Sequence, residues 1–566
     1  MNNTINLENA HHVTLPNGLC AMLCHTPEAS ESFVSMAVRA GHFYDPNDCQ
    51  GLAHLLEHML FMGSRHLPKP NAINGFIEQH GGTINAWTGT EYANYHFSCS
   101  GGALAQTLPA FADMLRQPLF EEDALTNEIK NIHAEFEFKK KDDLRRLYQI
   151  HKETCNPHHP FAKFSVGNSD TFSQHECAEL KHRLKSLHQT YYCALNMRLC
   201  IASPMPTPQL EALIHQCFGS LPSGELAPDN WPPLYTENEL GIQINIHPLQ
   251  SAKRMIVTFA LPALQNDYKT KPLNYISHLI GDEGEGSLLA YLKEKDWALN
   301  LIAGSGIEGD KFKDFNVSFQ LTQKGLENKS QVLEALFSYI ALIRNASVEE
   351  WRFHEKSQLN ALALEYEENV KPLGLVTEYA EHQFIFDASE LNQLRSTIGS
   401  FDRTVIEHAL SYFTPDNIRL KVISKDVDTT QVCAFYEAEY SVEPIDDSVL
   451  RSLASPKKIA ALNLPPPNPY LAKEYSLVLP ETGFNIPNKL VDNGHYRFWF
   501  AQDQQFHSPK GDIYISFDAT SFSNSLTSVA AKRIWLGALN DYLQAKYYRA
   551  EIAGLHYRIY GHQAGF

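Results

Sequence analysis

The chain has 566 residues, 43% of them apolar and 20% charged, with a formal net charge of −18. That length exceeds what one hydrophobic core holds and points to two or three domains. The acidic balance argues against nucleic acid, which needs clustered Lys and Arg, and no run approaches the ~18 consecutive apolar residues of a membrane span.

The start, Met1 to His12, has neither a basic nor an apolar stretch, so no signal peptide is expected. Strand-like runs at 13–15 and 19–24 flank Asn17-Gly18, a strong hairpin signal, and a third run covers 32–40. Ten cysteines, nine of them before residue 218, are scattered without a C-x-x-C pair. Cys20 and Cys24 read as small fillers in an alternating run, and reduced thiols in a cytoplasmic setting fit best.

Gly51 to Gly63 forms a helix carrying His54-Leu-Leu-Glu57-His58. At ~100° per residue the two histidines lie about 40° apart, and Glu57 lies roughly 60° to the other side of His54. Leu52, Leu55, Leu56, Met59 and Leu60 fall on the opposite arc, towards a core. The order H-x-x-E-H is a catalytic zinc signature, yet the pentapeptide alone is as compatible with two surface histidines. A helix over 71–80 ends at Gly81-Gly82, followed by strands at 83–88 and 92–98. Helices are expected at 103–116 and 121–148.

In the latter, Glu128 and Glu135 are seven residues apart and return to the same face within ~20°. They read either as a solvated acidic stripe or as metal-site residues. The histidines of Asn156-Pro-His-His-Pro160 lack chelating geometry and read as loop. A linker rich in Pro and Gly covers 221–233. A second block, strands first and then helices, runs from 240 to about 442, with a glycine-rich turn at 281–286. Its order echoes the first block, so an internal α+β repeat is expected although the sequences barely match. After Pro465-Pro-Pro467-Asn-Pro469 come strands at 496–501 and 512–517 and a helix at 525–550.

A catalytic zinc site wants three protein ligands and one open position. His54 and His58 supply two, and Glu135, on a separate helix, is the candidate third. Glu128, one heptad earlier, is placed to hold a histidine ring in orientation.

These residues resemble the insulinase and pitrilysin family of inverzincins, the insulysin or protease III group. The resemblance covers nearly the whole chain: His54-x-x-Glu57-His58-Met-Leu-Phe61, Asn85-Ala-Trp-Thr88, Glu128 and Glu135, Asn156-Pro-His-His-Pro-Phe161, the turn at 281–287, and Ala550-Glu-Ile-Ala-Gly-Leu-His556. It implies an α+β fold class, with tandem homologous α+β domains forming half of a clamshell. The domains would be a catalytic one at 1–225, an inactive one at 240–445, a linker at 446–489 and a partial third domain at 490–566.

The resemblance further implies a peptide-cleaving enzyme binding one Zn2+ through His54, His58 and Glu135, with Glu57 as general base. Asn85 and Ala86 would lie on an edge strand that pairs with the substrate backbone. Gly304, in Leu301-Ile-Ala-Gly304, would lie on a strand anchoring the substrate's N-terminal end. Full-length members have four such domains, and their oxyanion-stabilising arginine and tyrosine lie in the fourth. A C-terminal half or a partner subunit is therefore an expected partner beside peptide substrates. A partner-dependent peptide-binding subunit and a processing peptidase for one small precursor stay open as alternatives.

Overall fold

Two β-sheets organise the chain, and their strand orders correspond. The computed structural model describes residues 9–264, 267–367, 371–394, 399–477, 486–502, 508–522 and 524–566. Most of the start read for a leader, and residues 478–485 of the expected 446–489 linker, lie outside the described residues.

The first sheet contains β1 (His11–Thr14), β2 (Cys20–His25), β3 (Glu31–Val38), β4 (Ile84–Thr88), β5 (Ala93–Ser100) and β6 (Met197–Ser203). Its order is β1-β2-β6-β3-β5-β4, with β2 and β6 parallel and the other pairs antiparallel. Helices α1 (Leu52–Phe61), α2 (Ala72–Gln79), α3 (Leu104–Arg116) and α4 (Glu122–Lys139) contribute to the core on one face, where Val34, Met36 and Val38 point. The other face is also covered. Phe33, Ala37, Cys200 and Ala202 pack on Val376, Tyr379 and Ala380 of the helix Pro372–His382, far along the chain. Burial on both faces is why β3 reads as a nearly continuous apolar run.

The second sheet contains β7 (Ile242–Ile246), β8 (Lys253–Pro262), β9 (Ala298–Gly309), β10 (Phe312–Leu321), β11 (Ile418–Ser424), β12 (Gln431–Val432) and β13 (Glu439–Pro444). Its order is β12-β13-β7-β11-β8-β10-β9. Aligning the parallel pair β7 and β11 with β2 and β6 superposes the orders: β8 corresponds to β3, β10 to β5 and β9 to β4. The position of β1 is taken by β13. The repeat that the sequences barely carry is thus plain in the topology, and β4 and β9 are equivalent edge strands among the described residues.

Two expectations are corrected. The helix expected over 121–148 is two helices, α4 and α5 (Asp143–Glu153). Asp142 caps the second by accepting from the Leu144 N–H at 2.8 Å, a stronger local preference than continuing the helix. Residues 512–517, expected as a strand, form no ladder among the described residues, and Ile513 and Tyr514 are each 88% exposed. The strand at 496–501 does form, as β15 (Arg497–Phe500) paired with β14 (Asn488–Asp492), and the last long helix is Leu526–Ile552.

Candidate metal centre

Helix α1 begins where Asp45 catches it. The buried carboxylate accepts from the N–H groups of Gly51 and Ala53, each at 2.7 Å, donors that a helix start leaves without partners. Burial pushes this carboxyl up to about 7, against the pull of those N–H groups and of Lys163 and Lys152. Gly51 has φ +91°, and a Cβ there would lie 2.3 Å from Cα of Gly167, itself at φ +73°. Glycine at both positions permits this backbone crossing, which brings the Val166 carbonyl to α1. Leu52, Ala53, Leu55, Leu56, Met59 and Leu60 of α1 are buried, leaving His54, Glu57 and His58 on its other side.

Each histidine has one ring nitrogen committed. Nδ1 of His54 donates to the Val166 carbonyl at 2.7 Å, and Nδ1 of His58 donates to Oε2 of Glu128 at 2.9 Å. A carbonyl and a carboxylate only accept, so each Nδ1 carries a proton, and in the neutral form of each ring it is Nε2 that presents the lone pair. Glu128 is buried on α4, and its other oxygen accepts from Asn131 at 2.9 Å. One heptad further along α4, Glu135 Oε2 lies 4.0 Å from Nε2 of His54 and 3.8 Å from Nε2 of His58. The second Glu135 oxygen accepts from Lys139.

The environments differ in sign. Burial first, and the neighbouring His58, hold His54 below the ordinary imidazole range despite Glu57. Burial also pulls on His58, but the hydrogen bond to Glu128 and the charges of Glu57, Glu128 and Glu135 outweigh it and raise its pKa. For Glu135 burial raises, while Lys139 and the two histidines lower, and the net position is below the ordinary carboxylate range.

One atom from each of His54, His58 and Glu135 falls within a group spanning at most 4.8 Å. Two imidazole lone pairs and a carboxylate oxygen facing one another without a donor repel unless a cation or proton lies between them. Zinc accepts this nitrogen and oxygen set at ~2.0–2.2 Å in tetrahedral geometry, which asks for ligand separations of ~3.4 Å. Side-chain adjustments of a few tenths of an ångström to about one ångström close that difference. The residues fit the metal.

Glu57 is on the same helix face, and its Oε2 accepts from Thr88 Oγ1 at 2.6 Å. Thr88 ends β4, the edge strand carrying Asn85 and Ala86, which pairs only with β5 among the described residues. Gly304 lies on β9, the corresponding edge of the other sheet, with open space where a Cβ would project. His159 stands apart from the candidate His54–His58–Glu135 group: its Nδ1 accepts from the Phe161 N–H at 3.0 Å. Sequence reasoning missed Asp45, Val166, Thr88 and Lys139. A backbone carbonyl leaves no side-chain signature, although the glycines on either side of the crossing were a usable signal.

Comparison with known proteins gives three family models in succession along the chain. The family model "Insulinase (Peptidase family M16)" matches residues 21–162, "Peptidase M16 inactive domain" matches 181–359, and "Middle or third domain of peptidase_M16" matches 365–566. The chain belongs to the insulinase family of peptidases, M16. Among curated relatives of this M16 chain, the Bos taurus insulin-degrading enzyme is 30% identical over 552 residues, covering 96% of this chain and 54% of the relative. The A-factor-processing enzyme of Saccharomyces cerevisiae is 28% identical over 555 residues, covering 96% and 54%. The crystal structure of pitrilysin superposes with a TM-score of 0.82 at 27% identity, covering 98% of this chain and 60% of that one. The first half of the periplasmic protease PqqL from Escherichia coli gives 0.63 at 16% identity, covering 81% and 98%, a likeness of fold. The chain thus spans about half the length of the curated relatives it matches.

Proposed function

We propose that this M16 chain is a zinc-dependent endopeptidase unit acting on peptides and small polypeptides. The observation that carries the reading is the convergence of two Nε2 atoms and one carboxylate oxygen, with both Nδ1 atoms hydrogen-bonded outward to acceptors. His54, His58 and Glu135 would hold one Zn2+, which when bound lowers the pKa of a water towards 7. Glu128 and Val166 keep the two rings in the tautomer that ligation needs. Glu57 takes the proton of the attacking water and returns it to the leaving amine. Thr88 holds one oxygen of that carboxylate at the end of β4. The outer side of β4, with Asn85 and Ala86, receives the substrate as an added strand, and Gly304 on the equivalent edge β9 anchors its N-terminal end.

Ten cysteines with no disulfide, and no helix long and apolar enough to cross a membrane among the described residues, suit a cytoplasmic setting. One relative is described as peroxisomal.

The test separates ligand from base. Wild-type chain should bind about one zinc, and Glu135→Gln should lose most of it. Glu57→Gln should keep zinc and bind peptide but not hydrolyse it, because an amide cannot take the proton. Unchanged metal content in Glu135→Gln would remove it from the ligand set, and turnover by Glu57→Gln would remove Glu57 from the mechanism.

A second reading makes hydrolysis depend on another polypeptide. It rests on the exposed apolar residues of the last block, Trp499, Ile513, Tyr514 and Ile515 among them. A fluorogenic peptide assay titrated with the second half of a pitrilysin-like relative distinguishes the two. A rate that rises with the added half supports dependence, and a full rate without it opposes dependence.

A further inference from the structure

The end of α4 that carries Glu135 is not packed on its own sheet's core. Ala124, Leu125 and Ile132 belong to the first sheet's core, but Phe136, the last residue α4 buries, belongs to a cluster with Phe164, Ile244, Ile423 and Tyr436. Tyr436 lies in the turn joining β12 to β13 of the second sheet. Beyond Phe136 the helix projects outward, with Phe138 83% exposed. The packing beside Glu135 at the last turn of α4 is therefore shared with residues of the second sheet.

That turn is strained. Phe435 has φ +65° and Glu437 φ +52°, two of the seven non-glycine residues with positive φ among the described residues. Bulky side chains avoid this region unless the surroundings enforce it, and such outliers justify asking what they achieve. Here they aim two rings. Phe435 lies flat on Phe164, centroids 3.9 Å apart and planes 8° apart, and Tyr436 meets Phe136 edge-on at 5.3 Å. Phe164 is two residues before Val166, the acceptor for His54. Phe136 is the residue after Glu135. Polar bonds fasten the turn: Arg146 donates to the Tyr436 carbonyl at 2.8 Å, and Lys140 donates to Glu437 at 2.8 Å.

We infer that Phe435 and Tyr436 of the second sheet are positioning residues of the metal centre. They hold the 164–167 segment and the C-terminal turn of α4 in register, and so set how tightly the site binds metal. The catalytically silent half of the repeat is in this sense part of the site. The inference rests on the zinc reading for its effect on affinity, while the mechanical coupling stands independently of metal.

Two variants remove the rings without removing the turn. Phe435→Asn keeps a residue that tolerates positive φ, and Tyr436→Ala is paired with Tyr436→Phe, which keeps the ring. Zinc affinity of the full chain, by competition with a chromophoric chelator, should weaken roughly 10–100-fold in the first two, the scale of losing a ligand-orienting partner. Tyr436→Phe should stay near wild type. Deuterium exchange of the metal-free chain should accelerate at 134–140 and 164–168, with the strands of both sheets unchanged. Unchanged local exchange in both ring-deleting variants, or loss of protection spread evenly over both sheets, overturns the inference. A wild-type chain that binds no zinc would defeat the zinc reading, and the exchange result would still decide the coupling.

Discussion

His54 and His58 are four residues apart on one helix, yet they are held by unlike partners. His54 gives its proton to a neutral carbonyl and His58 to a buried carboxylate. A carboxylate partner makes the imidazole a stronger donor to a metal. Glu128→Gln replaces that partner with a neutral amide of the same shape, so zinc should bind about 10–100-fold more weakly while the fold is kept. Chelator competition with a circular dichroism control measures this, and an unaltered dissociation constant would reduce Glu128 to an ordinary buried acid. That His54 and His58 share one side of a helix was legible in the sequence because side-chain spacing on a helix translates directly into a shared face, whereas their approach to Glu135 on α4 depends on how the two helices pack. Asp45 and Val166 were not, because they act from loops whose approach to α1 depends on the Gly51–Gly167 crossing. Lys139 was hidden for another reason: a lysine four residues after a glutamate is an everyday surface pair, and only the position of the two rings shows which Glu135 oxygen it leaves for them.

At the scale of elements, the break between α4 and α5 shows how local chemistry overrides a continuous helical pattern. Asp142 caps α5, and this redirects α5 into the joint between the two sheets. There His151 takes part in a buried chain. Lys421 donates to its Nδ1 at 2.8 Å, its Nε2 bonds the Tyr235 hydroxyl at 2.6 Å, and Tyr235 donates to Asp314 at 2.9 Å. Lys421 also bonds Thr258, and Arg419 donates to the Thr154 carbonyl. Burial, then Lys421 and Arg419, hold His151 well below the ordinary imidazole range. The unfolded chain takes that proton near pH 6.5 and the folded chain refuses it, so stability present above pH 6.5 is lost as the pH falls. Asp314, raised by burial to about 6, works the other way, since its folded form gains a proton first. The His151 share is isolated by His151→Gln, which cannot titrate. Its destabilisation, read from urea midpoints, should be largest near pH 7.5 and shrink towards pH 5. A pH-independent difference would mean that His151 titrates alike in both states. No sequence pattern announced this joint, because its members come from α5, a linker and three strands that only the fold brings together.

For the whole molecule, the correspondence of strand orders explains why the repeat was foreseeable as an order of elements but not as matching residues. Topology constrains which strands are neighbours, while many residue combinations fill the same layers. The helix Pro372–His382 was harder to foresee, since it crosses to cover the first sheet's outer face. The last block contrasts with both sheets. Phe498, Trp499 and Phe500 of β15 are 48%, 53% and 44% exposed, and Ile515 and Phe517 are 69% and 55% exposed. A surface of this composition, beside a ladder that has two strands among the described residues, favours association over solvation. We expect the 566-residue chain to self-associate in the micromolar range, with sedimentation coefficients that rise with concentration. Because the driving force is apolar area, the association should persist or strengthen at high salt, unlike contact between acidic surfaces or ion pairs. Ile513→Lys with Trp499→Ser should shift the distribution towards monomer and leave zinc content unchanged, as neither residue belongs to the candidate His54–His58–Glu135 group. A single monomeric species at every concentration would show that these side chains are tolerated in water. Association undiminished in the double variant would place the contact elsewhere, with the edge strands β4 and β9 the next surfaces to test.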